Sequence, residues 1–371
     1  MVAVYSARVE PGGTEFSIKP GEPVLDAALR SGVSLKYGCR HGNCSSCKYL
    51  VTDGEVDYGN ASPYSLSNAE RDEGWVLLCC ATALDDLEIQ DDRVFDQRQR
   101  SLITPGEFDG QVSGIDKLTP SLRRLRIHTE QPVAFYAGQF MEIAVPGAVG
   151  QWRSYSLACA PVAMEELEFV IKVIDGGAFS GQLDVLKVGT RLRVRGPFGG
   201  GYLREGDRPV LLVATGSGIS PILSILEHAA LCGDERKFTF FYGARVGAEL
   251  PCEDRMGELC GLLDLTYCPV LSKPSPECGW PGEPSRVTTG VQRRIGDGAP
   301  YDAYVCGKPE MCDAVIALLE AKGTPEETIF SDKFFPAVED DPPTPPSGRA
   351  KVAPKCATSW SGSTPGPARP R

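Results

Sequence analysis

Cysteines at an uneven spacing give the clearest chemical signal in this chain. Cys39, Cys44 and Cys47 lie in the run YGCRHGNCSSCKYL, and Cys79 and Cys80 follow in GWVLLCCAT. Four thiolates that converge from one short loop and one distant segment, with C-x4-C-x2-C spacing in the loop, are the ligand set of a plant-type 2Fe–2S cluster. We therefore predict a 2Fe–2S cluster, with either Cys79 or Cys80 as the fourth ligand.

The residues around these cysteines suit a cluster loop. Small residues let backbone N–H groups approach the sulfurs, and four of them lie in the loop: Gly38, Gly42, Ser45 and Ser46. The alternative is a zinc site from the same thiolates, although zinc sites usually use paired C-x2-C knuckles and the loop holds one. Lys36, Arg40 and His41 are interpreted as surface charge.

The ferredoxin-like segment resembles a known family. Residues 1–96 look like the plant-type ferredoxin domain at the front of bacterial oxygenase reductases. The run GEVDYGNASPYSLSNAERDEGWVLLCCA (54–81) is similar to phenol hydroxylase reductases, and GCRHGNCSSCK resembles alkane and alkene monooxygenase reductases. In the family pattern G-x-x-L-x-C, counted from Gly74, the fourth ligand falls on Cys79, which implies that Cys80 points into the core.

A flavin motif follows in WRSYSLA, where Arg153, Tyr155 and Ser156 match the R-x-Y-S pattern of the ferredoxin–NADP reductase superfamily. A guanidinium can bind the FAD pyrophosphate, a tyrosine ring can pack on the isoalloxazine, and a hydroxyl near flavin N5 can assist hydride transfer. The resemblance implies FAD rather than FMN, and Ser156 as a catalytic residue. The tripeptide alone is weak, and the ordered series GQF, RSYS, GGAFS and GPFG strengthens it.

The second flavin segment is a strand followed by a glycine-rich turn. The resemblance places Ile171 and Val173 on the strand and Gly177, Phe179 and Ser180 in the turn GGAFSGQL. Backbone amides at such a turn can bind phosphate. We therefore include all five among the FAD-binding residues.

A glycine-rich turn between a strand and a helix predicts a nucleotide site. Thr215, Gly216, Ser217, Gly218 and Pro221 in VLLVATGSGISPILSIL match the nucleotide turn of the superfamily. Glycine permits close backbone approach to the pyrophosphate, and a helix N-terminus favours an anion.

The nicotinamide end of that site is predicted further along the chain. Cys306 and Gly307 lie in YVCGKPEM, and the resemblance places this pair beside the nicotinamide ring, with Cys306 in a catalytic role. Phe334 in FSDKFF resembles the terminal aromatic segment near the flavin. Residues 245–254 contain more acidic than basic side chains, which favours NADH over NADPH.

The pattern of predicted strands and helices changes three times along the chain. Alternating strands and one helix over 24–31 predict an α+β ferredoxin domain of the β-grasp type. Short strands between Gly and Pro then indicate an antiparallel barrel, and alternating strands and helices indicate an α/β parallel sheet. The predicted limits are 1–97 for the 2Fe–2S domain, 104–204 for the FAD-binding barrel, 207–337 for the NAD-binding domain and 338–371 for a disordered Pro-rich tail.

Charge and hydropathy limit the partners. The net charge of −11 argues against nucleic acid, and residues 1–96 carry 16 Asp or Glu against 8 Lys or Arg. The sequence has no run of 18 apolar residues, so it does not predict a membrane-spanning helix. The N-terminal residues lack the features of a secretory signal, and clustered cysteines then favour metal binding in the cytoplasm.

Together, these motifs predict an NADH-dependent reductase. NADH would supply two electrons to FAD, and the cluster would pass them singly to an oxygenase component, because the chain carries no oxygenase motif. The resemblance favours a diiron hydroxylase of phenol, alkane or alkene. The alternatives are a reductase of a Rieske ring-hydroxylating dioxygenase, a redox-sensing or electron-transfer binding protein without turnover, and a zinc-stabilised interaction protein.

Overall fold

A computed structural model describes residues 4–92, 101–162, 165–276, 279–296, 298 and 300–335, together with the backbone of 349–352. Within these ranges the strands form three sheets, one in each predicted domain. The predicted fold class is confirmed: an α+β domain, an antiparallel barrel and a parallel α/β domain follow one another along the chain.

The first domain wraps a mixed sheet around one helix. Strand β1 pairs in parallel with β6 and antiparallel with β2. Helix α1 buries five apolar residues against the sheet, and its Val24 amide bonds the Ala81 carbonyl near the end of the cysteine segment. The elements are β1 Tyr5–Glu10, β2 Thr14–Ile18, α1 Val24–Arg30, β3 Lys48–Asp57, α2 Asn68–Asp72, β4 Trp75–Leu77, β5 Thr82–Ala83 and β6 Leu87–Gln90.

The same sheet receives a strand from the far end of the chain. Strand β18 (Arg349–Val352) pairs antiparallel with residues 54–57 of β3. The sequence predicted disorder for 338–371. These four residues instead form a strand, because the outer edge of β3 has backbone N–H and C=O groups available for pairing. The rest of that predicted tail lies outside the described residues.

The second domain is an antiparallel barrel of six strands. The sheet order is β10-β9-β12-β7-β8-β11, and an isolated bridge between Leu157 and Phe169 joins the two ends. Its strands are β7 Gly106–Lys117, β8 Leu122–Thr129, β9 Phe140–Ala144, β10 Trp152–Ser156, β11 Glu166–Lys172 and β12 Arg191–Phe198.

The third domain is a five-stranded parallel sheet in the order β15-β14-β13-β16-β17. Four of the strands were predicted with their bounds, and FSDKFF was interpreted as the end of a last strand, which corresponds to β17. Helices α4 and α5 were not predicted. The elements are β13 Val210–Thr215, α3 Ile219–Cys232, β14 Phe238–Ala244, α4 Glu253–Leu262, β15 Leu265–Leu271, α5 Val287–Arg294, β16 Asp302–Gly307, α6 Pro309–Ala321 and β17 Ile329–Lys333.

Two apolar cores cross domain boundaries. Phe140 and Phe198 of the barrel pack into the ferredoxin core. On the opposite boundary, one core joins barrel residues such as Val170 to Ile222 of α3 and Tyr304 of β16. The barrel is thus packed between the other two domains. No helix within the described ranges has the length and apolar character needed to cross a membrane.

Candidate functional site

The four predicted cluster ligands lie together as two pairs of thiols. Cys39 and Cys44 hydrogen-bond to each other, and the Cys39 amide donates to Cys44 Sγ at 3.2 Å. Cys47 and Cys79 form the second hydrogen-bonded pair. The hydrogen bond from Cys39 lowers the pKa of the Cys44 thiol to about 5. Two pairs of thiols fit a cluster of two irons, in which each iron takes two thiolates.

This pairing also bears on the zinc alternative. A zinc site brings four thiolates to within about 2.3 Å of one ion. The two thiol pairs, Cys39 with Cys44 and Cys47 with Cys79, instead match the distribution of ligands in a two-iron cluster, in which each iron takes two thiolates.

Glycines let the loop close tightly around these sulfurs. A Cβ at Gly38 would lie 3.1 Å from Cys44 Sγ, and one at Gly42, where φ is +76°, would lie 2.6 Å from Cys80 Sγ. The His41 amide approaches Cys39 Sγ at 3.4 Å. The loop thus directs a backbone donor at the Cys39 sulfur, as expected if Cys39 is a cluster ligand.

The prediction that Arg40 and His41 are surface charge is wrong. The Arg40 side chain is only 6% exposed and lies against the barrel, with its Nε 3.2 Å from Glu142 Oε1. His41 Nε2 lies 3.0 Å from Ser154 Oγ on strand β10. Lys36 does remain exposed, at 61%. The two loop residues are covered because a second domain, far along the chain, packs on them.

The predicted flavin residues Arg153, Tyr155 and Ser156 all lie on strand β10. Arg153 donates from Nη1 to the Trp152 carbonyl at 2.9 Å. Tyr155 and Phe179 have ring centroids 5.4 Å apart, so the turn after β11 packs against the motif strand. Because strand side chains alternate, Arg153 and Tyr155 share one face, and Ser156 lies on the other.

The second flavin segment forms a compact turn beside that strand. Ile171 is buried in the barrel core, and the Val173 amide bonds the Ser121 carbonyl. Ser180 begins a short 3₁₀ turn, and a Cβ at Gly177 would lie 2.5 Å from its Oγ. The structure therefore brings Phe179 against Tyr155, packs Ile171 and Val173 in the same apolar core, and holds Gly177 and Ser180 together in the turn that carries Phe179.

The nucleotide turn joins β13 to α3, as predicted. Thr215 ends β13, a 3₁₀ turn covers Gly216–Gly218, and Pro221 lies in the first turn of α3. Ser217 is half-buried within the turn. Thr215 Oγ1 is buried and has no hydrogen-bond partner among the described residues.

Cys306 and Gly307 lie directly beside this turn. A Cβ at Gly218 would lie 2.2 Å from the Cys306 carbonyl oxygen, and Gly307 has a φ of +143°. The Phe334 amide donates to the Gly307 carbonyl at 2.8 Å. Burial raises the pKa of the Cys306 thiol, which keeps the thiol neutral and suits packing against a ring rather than nucleophilic attack.

Asp332 is a site residue that the sequence interpretation missed. Ser156 Oγ donates to Asp332 Oδ2 at 3.0 Å, which links the flavin strand to the last strand of the nucleotide domain. Burial raises the pKa of Asp332 to about 6; the hydrogen bond from Ser156 works against this rise, and the nearby Cys44 adds a smaller contribution in the same direction as burial. The FSDKFF run was interpreted as the end of the last strand because of its phenylalanines, and no sequence pattern links its aspartate to Ser156, 176 residues earlier.

Comparisons with known proteins agree with this arrangement. Three family models match: a 2Fe-2S iron-sulfur cluster binding domain at 7–84, an oxidoreductase FAD-binding domain at 109–202 and an oxidoreductase NAD-binding domain at 212–316. The reductase component of phenol 2-monooxygenase from Pseudomonas sp. (strain CF600) is 36% identical over 340 residues, which are 90% of this chain and 96% of that protein.

The chain belongs to the family of oxygenase reductase components. The reductase component of propane 2-monooxygenase from Rhodococcus jostii (strain RHA1) is 36% identical, over 89% of this chain and 91% of that protein. A crystal structure of an Amycolatopsis cytochrome P450 reductase matches with a TM-score of 0.80 and 30% identity, over 90% of this chain and all of the other. Like the family, this reductase is an oxidoreductase with a 2Fe–2S cluster, FAD and NAD as cofactors.

Proposed function

We propose that this reductase oxidises NADH and delivers electrons one at a time, through FAD and the 2Fe–2S cluster, to a separate oxygenase component. The observation that carries the proposal is the position of strand β10. Ser154 contacts the cluster loop through His41, and Ser156, two residues on, contacts the nucleotide domain through Asp332. Strand β10 therefore contacts both the nucleotide domain, which would hold the electron donor, and the cluster loop, which would hold the electron acceptor.

The following roles are proposals from the geometry. When bound, FAD accepts hydride from NADH and releases single electrons. Tyr155 would pack on the flavin, and Arg153 would bind its pyrophosphate together with the turn at 177–180. Ser156 would lie at the reacting edge. Cys306, held by the contact between its carbonyl and Gly218, would face the nicotinamide, with Gly307 and Phe334 lining the same position.

The Ser156–Asp332 pair can hold a proton at this edge. A carboxyl with a pKa of about 6 is present in both protonation states near neutral pH. The hydrogen bond fixes the direction of the Ser156 hydroxyl. The pair would therefore orient the hydroxyl and exchange its proton with the site without a large change in structure.

The proposed preference for NADH comes from the loop after β14. The Glu249 carboxylate accepts a hydrogen bond from the Arg245 amide at 2.9 Å, and Glu253 and Asp254 are exposed at the start of α4. Negative charge around this loop disfavours the 2′-phosphate of NADPH, although Arg245 itself is exposed.

The proposed acceptor is a diiron hydroxylase of phenol, alkane or alkene. The relatives named for phenol and propane monooxygenases support this class over a Rieske dioxygenase. The acidic surplus of residues 1–96 would steer docking onto a basic partner surface. We also propose the domain limits 1–97, 104–204 and 207–337, and a cytoplasmic location. The 12 described cysteines are all free of disulfides, which is usual in a reducing compartment.

An anaerobic titration with NADH tests the proposal. The visible spectrum of the purified protein should show flavin and 2Fe–2S absorption, both bleached by NADH and much less by NADPH. A colourless protein, or a cluster spectrum that NADH leaves unchanged, would refute the proposed electron route. Reduction by both nucleotides at equal rates would refute only the NADH preference.

A pair of neighbouring cysteines tests the cluster assignment. The variant Cys79→Ser should lose the cluster spectrum, since it removes the partner of Cys47. Cys80→Ser is the matched control: Cys80 Sγ lies 3.6 Å from Cys79 Sγ, but the substitution leaves the Cys39–Cys44 and Cys47–Cys79 pairs intact, so the spectrum should remain. Cys44→Ser should abolish electron delivery to the acceptor while NADH still reduces the flavin. The reverse result for Cys79 and Cys80 would move the fourth ligand to Cys80.

A further inference from the structure

Arg40 is a buried cation at the boundary between the ferredoxin domain and the barrel. It follows the cluster ligand Cys39 directly and adopts a left-handed backbone conformation with a φ of +63°. This conformation is uncommon for residues other than glycine and is retained where the surroundings hold it. The turn directs the guanidinium away from its own domain surface and onto the barrel.

Three groups surround the guanidinium. Its Nε lies 3.2 Å from Oε1 of Glu142, whose side chain is 2% exposed, and its Nη1 lies 3.0 Å from Asp26 Oδ1. Its carbon Cζ lies 3.7 Å from the centroid of the Phe198 ring. Glu142 and Phe198 belong to the barrel and Asp26 to the ferredoxin domain, so the cation joins the two domains.

A second arginine, from the barrel itself, fixes the position of the Glu142 carboxylate. Its second oxygen accepts a hydrogen bond from Arg195 Nε on the adjacent strand β12. Burial alone would raise the pKa of Glu142, but Arg40 and Arg195 outweigh burial and hold the pKa below its usual value. The carboxylate is therefore ionised and requires cations on both sides.

Two further contacts flank Arg40 on the same loop. The Gly199 amide of the barrel donates to Tyr37 Oη at 2.8 Å, and His41 meets Ser154 as described above. The residues Tyr37, Arg40 and His41 thus bracket Cys39, and each contacts the barrel. Any movement of this loop away from the barrel would carry the cluster ligand with it.

We propose that Arg40 is a positioning residue: its pairing with Glu142 locks the cluster loop onto the flavin barrel and thereby sets the rate of electron transfer from flavin to cluster. The inference rests on the proposed electron route. Electron transfer between two centres slows steeply as they separate, and separation here would leave buried charges without their partners, which opposes it.

The test separates the two steps of the reaction. In stopped-flow mixing with excess NADH under anaerobic conditions, the bleaching of flavin and of cluster are followed separately. Arg40→Met removes the charge and keeps the length of the side chain. Its flavin reduction by NADH should stay within about twofold of wild type, and its flavin-to-cluster transfer should slow by about tenfold or more.

Rescue and control variants distinguish positioning from general damage. Arg40→Lys restores the charge without the planar stacking group, so it should recover part of the rate. Arg30→Met breaks the ion pair between Arg30 and Glu22, 2.8 Å apart within the ferredoxin domain, and should leave both steps unchanged. Glu142→Gln breaks the lock from the barrel side, at a distance in sequence from the cluster ligands, and should slow the same step as Arg40→Met.

A second readout does not depend on the cofactors. Hydrogen exchange at the Gly199 amide should be faster in Arg40→Met and Glu142→Gln than in wild type, because its acceptor Tyr37 belongs to the loop that is released. If Arg40→Met loses its cluster spectrum, the test of the proposal is the flavin-to-cluster rate and the Gly199 exchange of Glu142→Gln. Flavin-to-cluster rates within twofold of wild type in Glu142→Gln, with unchanged exchange at Gly199, would overturn the inference. Failure of NADH to reduce wild-type flavin would instead refute the proposed function.

Discussion

The two domains that flank the flavin barrel are attached to it in different ways. On the nucleotide side, α3 presents Ser220, Ser224 and Glu227, at helical spacing, to the barrel backbone. Ser220 Oγ accepts from the Val170 amide at 2.9 Å and donates to the Ser156 carbonyl at 2.8 Å. Ser224 Oγ likewise accepts a hydrogen bond from the Gly138 amide and donates one to the Cys159 carbonyl. Neutral hydroxyls thus satisfy buried backbone groups at several points, and Arg255 of α4 adds a partly buried ion pair with Glu168 of the barrel.

On the ferredoxin side, the polar contact centres on one charge. Arg40 and Glu142 are 6% and 2% exposed, and the hydrogen bonds of Tyr37 and His41 lie beside them. The shared apolar contact is small, with Phe140 and Phe198 as the barrel residues buried in the ferredoxin core. The nucleotide side instead shares a continuous core in which α3 contributes most of one face.

The two interfaces should therefore lose different amounts of stability when one contact is removed. Many modest bonds over a shared core lose little when one is removed. A buried ion pair loses much when one partner is removed, because the other charge stays buried without compensation. The nucleotide domain is therefore fixed by distributed contacts, and the position of the cluster depends on a few.

The largest expected effect comes from Glu142→Leu, which leaves Arg40 and Arg195 without their shared carboxylate. We expect the free energy of unfolding to fall by about 3–5 kcal/mol. Glu227→Leu, at the other interface, removes the acceptor of the Ala160 amide and leaves Arg255 with Glu168 as a remaining carboxylate, so it should cost less, about 1–2 kcal/mol. Urea denaturation followed by circular dichroism would measure both, and equal midpoint shifts would contradict the contrast between the interfaces.

Ser220→Ala should have an intermediate effect. The change leaves the Val170 amide and the Ser156 carbonyl buried without this partner, at a cost of about 2 kcal/mol. The shift in thermal midpoint should come with slower flavin reduction by NADH, because the backbone of Ser156 loses its anchor. The exposed Ser331 offers a control, since Ser331→Ala removes a hydroxyl at the surface. A midpoint indistinguishable from that control would show that the hydroxyl contributes nothing.

A smaller effect is expected for Tyr37→Phe, which removes one neutral acceptor beside the buried ion pair. The loss should be about 1 kcal/mol, and the Gly199 amide should exchange its hydrogen faster. Tyr64→Phe is the matched control, because the side chain of Tyr64 is 99% exposed. If Tyr37→Phe destabilised the protein as much as Glu142→Leu, the ion pair would not be the dominant polar contact.

The smallest effect should appear only as a dependence on pH. Folding raises the pKa of Asp332 from 3.8 to about 6, so between these values the folded state binds more protons than the unfolded state. The contribution of Asp332 to stability therefore falls as the pH rises through this window. Asp332→Asn cannot ionise, and its stability relative to wild type should increase from pH 5 to pH 7. Melting curves at the two pH values would show this, and a constant difference would contradict it.

The sequence predicted the chemistry wherever the ligands or motif residues are close in the chain. Cys39, Cys44 and Cys47 share one loop, and Arg153, Tyr155 and Ser156 share one strand, so their spacing alone carries the signal. The order of the motifs predicted the three sheets. Helix α5 was missed because VTTGVQRR is rich in weak helix formers.

The contacts between domains could not be predicted in the same way. Arg40 and Glu142 are separated by 102 residues, and Ser156 and Asp332 by 176. No periodicity links such positions, and a charged residue beside a cysteine loop usually lies at the surface. The burial of Arg40 and the role of Asp332 therefore became visible only when the three domains were placed together.

Strand β18 has a consequence for protein engineering. The first and last described strands, β1 and β18, belong to one sheet, so the barrel and nucleotide domains stand as an insertion between β6 and β18. A ferredoxin module cut out at residue 92 would lose the strand that pairs with residues 54–57 of β3. Its exposed edge would then be open to pairing with other chains, and exchange of ferredoxin modules between reductases would have to carry both ends of the chain.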